Sequence, residues 1–252
     1  MAFNTQKNIM KTWIKRISLG ILLLLIFASI GFVWWGNTPL EAMQEAINAL
    51  ESDESVLVLP KKWMVFSPIK ESSTTGVIIY PGGHVDPRAY APLAKEIARN
   101  GYLVILPPMP LNLAVFDMNV ADEIIEANPE IETWYLGGHS LGGAMAAEYV
   151  AANASKVDGL FLWASYSAEG TDLSIIPDLK VLSIYGTEDG GVEEIRISDD
   201  RLPADTVWVE MEGANHAQFG WYGIQPGDGV ATISREEEQA WILKETIAFI
   251  EN

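Results

Sequence analysis

Residues 134–150 read WYLGGHSLGGAMAAEYV. The apolar run Trp134–Leu136 is typical of a short buried strand, and the small residues of Ala144–Ala152 indicate a closely packed helix. Between them, residues 138–142 form a G-x-S-x-G sequence, which places a serine at the tight turn between strand and helix. A Cβ at either flanking glycine would collide with the neighbouring strand or helix. The pattern predicts Ser140 as a nucleophile; the alternative is a Gly-rich turn that only packs closely.

Outward from this stretch, short apolar runs alternate with helical segments. The predicted strands are Val56–Leu59, Trp63–Ser67, Gly76–Tyr80, Tyr102–Leu106, Trp134–Leu136, Gly159–Ala164, Val181–Tyr185 and Val207–Met211. The predicted helices are Pro87–Asn100, Val120–Ala127, Ala144–Ala152 and Ser234–Glu251. Continuous apolar strands between helices indicate an α/β fold with a mostly parallel central sheet covered on both faces. The first two strands, separated by Pro60-Lys61-Lys62, are predicted to form a hairpin.

Two capping boxes predict where helices begin. Thr38 with Glu41 precedes a helical stripe over residues 40–50, and Ser234 with Glu237 precedes the last helix. The acidic run 236–238 is expected to lie on a solvated helix face.

A serine hydroxyl needs a base, and the base needs a carboxylate on its other ring nitrogen. Functional groups collect at the carboxyl ends of parallel strands, and His216 follows the last predicted strand. We expect His216 to be the base rather than an inert surface histidine. Asp189 lies after a buried strand between Ser140 and His216 and is the predicted acid, with Glu188 as the alternative. Asp189 could instead only cap the helix that begins near Val192.

The developing oxyanion needs two preorganised donors. The backbone amide of Leu141, at the start of the helix, is the first candidate. The loop after the strand Gly76–Tyr80 reads PGGH, and it offers Gly83 as the second donor, with His84 as the next choice. A plain tight turn is the alternative for this loop.

Candidate substrate contacts surround these residues. They are the side chains of His84, His139, Trp221 and Tyr222. His84 could instead cap the helix entered at Asp86-Pro87, and His139 should point away from Ser140. Trp221 and Tyr222 form an apolar pocket wall or pin their loop onto the domain. The connection 165–177 has only 13 residues, so no lid is expected over the site.

Four segments, taken together, resemble the α/β-hydrolase fold superfamily, in particular small lidless esterases and dienelactone-hydrolase-like enzymes. They are YPGGHVDPRAYAPLA (80–94), GGHSLGG (137–143), YGTEDG (185–190) and GANHAQF (213–219). The resemblance covers residues 76–250 and implies Ser140 as nucleophile, Asp189 as acid and His216 as base. Dienelactone hydrolases proper use Cys, and this chain has none.

The start of the chain differs from the rest. Residues 17–35 carry no charge and would span about 28 Å as a helix, close to the apolar thickness of a bilayer. Lys7, Lys11, Lys15 and Arg16 precede this stretch, so the positive-inside rule places that end in the cytoplasm. We expect a cytoplasmic N-terminus (1–16), a single-pass membrane anchor (17–35) and an extracytoplasmic hydrolase domain (36–252). A cleaved signal peptide and a buried core helix are the alternatives.

Composition excludes several classes of protein. The 252 residues are 49% apolar, which is incompatible with a disordered chain, and the lack of Cys excludes disulfide scaffolds and Cys-ligated metals. A net charge of −18 argues against nucleic acid as a partner. No metal or organic cofactor is expected; the partners are a small ester substrate and the lipid bilayer. The predicted activity is carboxylic ester hydrolysis, with a peptidase, amidase, thioesterase or silent membrane-tethered binding module as alternatives.

Overall fold

The computed structural model describes the backbone of residues 2–70 and 73–252, with side chains from Trp13 onward except Ile14. Two compact units make up the chain, and the boundary lies between Thr38 and Pro39.

The first unit contains one long helix, α1 (Ala2–Gly36). Within it, Lys15–Gly36 is apolar and long enough to cross a membrane. The large apolar side chains of this span are exposed, from 41% at Trp35 to 70% at Trp34. This exposure is inconsistent with the core-helix alternative, and it leaves a membrane anchor and a signal sequence as the two explanations.

The second unit is built on one eight-stranded sheet. Its strands are β1 (Val56–Pro60), β2 (Met64–Pro68), β3 (Thr75–Tyr80), β4 (Leu103–Leu106), β5 (Thr133–His139), β6 (Gly159–Trp163), β7 (Lys180–Gly186) and β8 (Val207–Met211). Their order is β1-β2-β4-β3-β5-β6-β7-β8. The predicted hairpin β1–β2 and the pair β2–β4 are antiparallel, and all other neighbours are parallel. The predicted fold class is confirmed.

Helices cover both faces of the sheet. They are α2 (Gln44–Asn48), α3 (Ala91–Arg99), α4 (Val120–Ala127), α5 (Leu141–Asn153), α6 (Val192–Arg196) and α7 (Arg235–Glu251). Alternate side chains of β3 enter opposite cores: Val77 and Ile79 pack with α3 and α7, while Ile78 packs with α4 and α5. Burial on both faces is why β3 reads as a continuous apolar run.

One predicted helix start is confirmed and one is wrong. Ser234 and Glu237 form the reciprocal capping box of α7. The helix predicted over residues 40–50 is shortened to α2, because Leu40 and Ala42 instead pair as isolated bridges with Val85 and Tyr222. The Thr38 hydroxyl donates to the carbonyl of Trp35, so it caps no helix ahead of it.

Candidate active site

Ser140 occupies the turn between the end of β5 and the start of α5. Its backbone is strained, with φ 52° and ψ −124°. Two neighbouring glycines make the turn possible: an added Cβ on Gly138 or on Gly142 would lie 2.3 Å from the carbonyl oxygen of Tyr80. The obstruction is backbone in both cases, so it could not be relieved by a side-chain rotation. The local geometry is that of the predicted nucleophile turn.

A residue that sequence reasoning missed supports this turn. Ser165, directly after β6, donates its hydroxyl to the carbonyl of Ser140 at 2.7 Å. The contact is close enough that a Cβ on Gly143 would lie 2.6 Å from Ser165 Oγ. Its position at the carboxyl end of a parallel strand is the sequence feature that could have revealed it.

His216 and Asp189 form a hydrogen-bonded pair. His216 Nδ1 lies 2.9 Å from Oδ2 of Asp189, whose side chain is only 1% exposed. The other oxygen, Oδ1, accepts the Gly191 amide at 2.7 Å, which lies ahead of the first residue of α6. The Glu188 carboxylate instead lies 3.4 Å from the Thr187 hydroxyl. A carboxylate on Nδ1 favours the tautomer that leaves Nε2 as a proton acceptor.

The structure brings Ser140, Asp189 and His216 together at one cavity. His216 Nε2 is buried and has no hydrogen-bond partner among the described residues, so the bond to the Ser140 hydroxyl is not formed here. In proteins without bound substrate, such catalytic bonds are commonly long and tighten when substrate binds. The unpartnered ring nitrogen and Ser140 belong to residues that line the same cavity.

The two candidate oxyanion donors are adjacent. The Leu141 amide is the first of α5 and has no intrahelical acceptor. A Cβ added to Gly83 would lie 3.2 Å from Leu141 Cβ, and the Gly83 amide has no bonded partner within the described part of the chain. His84 is ruled out as the second donor because its amide donates to the Asn112 carbonyl at 2.7 Å. Gly83 therefore fits this position better than its neighbour.

Two of the four predicted substrate contacts are wrong. His139 and Tyr222 are fully buried, so neither side chain can touch a substrate. Tyr222 lies in the core, and Trp221 lies under the guanidinium of Arg235 at 5.8 Å, so this loop pins its aromatics onto the domain. The turn that follows His84 is capped by Asp86, whose side chain accepts the Arg88 amide. For His84 and Trp221, substrate contact stays a prediction.

A cavity of about 400 Å³ is lined by Ser140. Its apolar lining includes Leu141, Ala144, Met145, Ala164, Ala168 and Ile195. Its lining, as far as the chain is described, contains no Lys or Arg side chain. A smaller cavity of about 250 Å³ shares Ser140, Asp189 and His216 but is otherwise lined by the polar turns 190–191 and 225–228. Within the described residues, no group of three or more His, Asp or Glu could hold a metal ion.

The loop that carries His216 is held by carboxylates that sequence reasoning missed. Asp228 accepts the amides of His216 at 3.1 Å and Ala217 at 2.8 Å. Glu238 Oε2 accepts the amide of Asn215 at 3.1 Å. Three consecutive backbone amides are thus fixed by two side chains other than Asp189.

Glu238 is a buried carboxyl group whose pKa is shifted upward. The acidic run 236–238 was expected on a solvated face, but the Glu238 side chain is fully buried on α7. Burial raises its pKa to about 7, although the hydrogen bonds from Asn215 and Gln218 oppose the rise. Its Oε1 has no partner among the described residues. Glu238 therefore holds a proton far more readily than an exposed glutamate does.

Comparisons with known proteins agree with this architecture. The profile of the alpha/beta hydrolase family matches residues 76–240. Similar solved structures include one from the work on LipS and LipT, two metagenome-derived lipolytic enzymes, at 16% identity and TM-score 0.51, covering 71% of this chain and 94% of that one. TT1662 from Thermus thermophilus has 15% identity and TM-score 0.53, covering 78% and 97%. A CIB-like hydrolase from Thermoplasma acidophilum has 14% identity and TM-score 0.57, covering 76% and 99%.

At these identities the structural likeness concerns the fold alone, whereas the family profile spans well over half of the chain. No curated protein matches this sequence. The chain belongs to the alpha/beta hydrolase family.

Proposed function

We propose that this hydrolase cleaves carboxylic esters through Ser140, Asp189 and His216. The observation that carries the proposal is the pairing of His216 Nδ1 with the buried Asp189 carboxylate at 2.9 Å, beside a cavity that Ser140 also lines. The pair leaves Nε2 of His216 as the atom that accepts a proton. The strained turn at Ser140 supports its role as the nucleophile.

In the proposed reaction, Ser140 Oγ attacks the ester carbonyl while its proton passes to His216 Nε2. The carbonyl oxygen becomes an oxyanion and is bound by the amides of Leu141 and Gly83. Collapse of this intermediate breaks the bond to the alcohol, which leaves with the proton from His216. A water molecule then attacks the acyl-enzyme and gives a proton to His216; the acyl–Oγ bond breaks, the acid leaves, and His216 returns the proton to Ser140 Oγ.

The shape of the site supports an ester with a neutral apolar group. The cavity of about 400 Å³ beside Leu141 and Ile195 has a mostly apolar lining, and among the described residues no Lys or Arg lines it to meet a charged group. Nothing in this lining favours an anionic substrate. The short connection 165–177 leaves the cavity without a lid domain.

We further propose that α1 anchors the enzyme in the cytoplasmic membrane, with the catalytic unit outside. The exposed apolar span Lys15–Gly36 supports this orientation together with the basic residues that precede it in the sequence. A reporter fused after Asn252 should be active only in its extracytoplasmic form. A cytoplasmic signal contradicts the orientation, and loss of the first 36 residues from the mature protein identifies a signal sequence instead.

A substrate panel tests the activity. The full-length protein should hydrolyse p-nitrophenyl acetate and butyrate, and Ser140→Ala should lower kcat at least about 10³-fold without changing the fold. Faster turnover of matched thioester or aminoacyl substrates would assign a thioesterase or amidase instead. A folded wild type that hydrolyses none of them would indicate a silent binding module.

A further inference from the structure

The side chain directly before the nucleophile has no place in the proposed reaction, yet it contacts the base. His139 is fully buried. Its ring stacks on Phe219 with centroids 5.6 Å apart, and it lies 4.4 Å from the ring of His216. The imidazole of His216 therefore rests against a second imidazole that solvent and substrate cannot reach.

A buried tyrosine connects His139 to the other half of the site. His139 Nδ1 lies 2.8 Å from the hydroxyl of Tyr90, and that hydroxyl accepts the Gly82 amide at 3.0 Å. Tyr90 has one hydroxyl proton and no exposure, so this proton is donated to Nδ1. With Nδ1 as the acceptor, the ring proton of His139 is on Nε2, which has no hydrogen-bond partner among the described residues. The packing is tight, since a Cβ added to Gly82 would lie 2.7 Å from both Nδ1 and the hydroxyl oxygen.

His139 is also held in its neutral form. Burial lowers its pKa well below the ordinary value, and the neighbouring His216 lowers it further, while the His216 backbone opposes this in part. At a pH below the ordinary pKa of histidine, an exposed imidazole would take up a proton and become charged. A ring that stays neutral cannot compete with His216 for the serine proton, nor repel His216 when that residue becomes an imidazolium.

We propose that Tyr90 and His139 are positioning residues that hold His216 and the Gly82-Gly83 loop in one rigid frame. The inference rests on the proposed ester hydrolase function. The Gly82 amide is tied to Tyr90, and the next amide along the chain is the proposed oxyanion donor. One buried pair thereby aligns the group that accepts the proton with the group that binds the oxyanion. A misplacement of about 1 Å in such a frame costs about 100-fold in rate.

Three variants of the full-length protein test this assignment. Tyr90→Phe removes the hydroxyl, and His139→Leu removes both ring nitrogens. Each should lower kcat for p-nitrophenyl butyrate about 10- to 100-fold with KM changed less than about 3-fold, because alignment rather than substrate binding is lost. His139→Asn keeps an acceptor near the Nδ1 position and should recover most of the rate lost in His139→Leu.

The matched control is Tyr135→Phe. Tyr135 is buried too, and its hydroxyl donates to the Ile250 carbonyl at 3.1 Å. It should lose a comparable amount of thermal stability but keep wild-type kcat. The double variant Tyr90→Phe/His139→Leu should lose little more than the worse single variant, since both residues act through one contact.

Wild-type kcat in folded Tyr90→Phe, or an equal loss of kcat in Tyr135→Phe, overturns the inference. Additive losses in the double variant overturn it as well. If His139→Leu does not fold, Tyr90→Phe and His139→Asn still decide the outcome. A wild type that neither hydrolyses esters nor reacts with a fluorophosphonate refutes the proposed function, and the positioning role falls with it. A reactive wild type with unaffected variants refutes the positioning role alone.

Discussion

The loop that carries Ser140 and the loop that carries His216 are fixed by different forces. Around Ser140 the constraint is mainly steric, because Gly138 and Gly142 let backbone approach backbone, with one added hydrogen bond from the Ser165 hydroxyl to the Ser140 carbonyl. Around His216 the constraint is hydrogen bonding to side chains, with Asp228 and Glu238 accepting the loop amides. The nucleophile turn therefore depends on the absence of side-chain atoms, and the base loop depends on the presence and protonation state of the side chains that accept its amides.

This difference predicts different responses to mutation and to pH. A steric constraint fails when any atom is added, at every pH. A carboxylate that holds a loop responds to its own protonation, and the pKa of Glu238 lies near neutrality. The base loop should then be the part of the site whose stability changes with pH.

The largest loss of activity is expected from replacing Asp189, which is hydrogen-bonded to His216. Asp189→Asn keeps the shape but removes the charge that orients and stabilises His216, so kcat should fall about 10³- to 10⁴-fold. The measurement is steady-state hydrolysis of an activated ester, and Glu188→Gln is the matched control. Equal losses in both variants would mean that Asp189 has no special role.

A smaller but still severe effect is expected from a single methyl group at the nucleophile turn. Gly142→Ala places Cβ 2.3 Å from the Tyr80 carbonyl oxygen and 2.4 Å from that of Pro81. The backbone must move, and the cost should be about 1–3 kcal/mol of unfolding free energy, the usual range for overpacking, together with most of the activity. Thermal denaturation and ester hydrolysis measure both losses. Gly170→Ala, where no atom lies within 4 Å, should change neither; an unaffected Gly142→Ala contradicts the steric account.

The smallest effect is expected from replacing Glu238, which should change how the free energy of unfolding depends on pH. Folding raises its pKa from 4.5 to about 7, so its contribution to stability is complete below pH 4.5 and is lost as the pH rises through about 7. Between pH 5 and pH 8 the wild type should lose about 2 kcal/mol that Glu238→Gln does not lose. Denaturant unfolding at several pH values measures this difference. The exposed neighbour is the control: Glu236→Gln should follow the wild-type curve, and so would Glu238→Gln if this account were wrong.

Much of the fold could be predicted because apolar runs and helix caps are local. The bounds of α4 and β8 match the predictions, and the Ser234 capping box is present. Prediction failed where the local structure is determined by residues that are distant in the sequence. Residues 40–42 pair with Val85 and Tyr222 instead of forming helix, and β5 continues through two glycines that local composition disfavours in strands.

The same distinction applies to the candidate site: local sequence features could be predicted, and contacts between distant residues could not. The placement of Ser140, Asp189 and His216 could be predicted because each follows a predicted strand, and the structure brings their side chains to one cavity, while their roles stay predictions. Glu238 looked like part of a solvated acidic run because only the folded chain brings it beneath residue 215. His139 was misjudged as a substrate contact since its burial depends on Tyr90 and Phe219, which come from distant parts of the sequence.

The most direct test of the central claim is covalent labelling of the full-length protein with a fluorophosphonate, followed by mass spectrometry of its peptides. The account predicts one phosphonylated residue, Ser140, with no labelling of Ser140→Ala and at least about 10³-fold slower labelling of His216→Ala. An adduct on another serine, or equal labelling rates in wild type and His216→Ala, would contradict it.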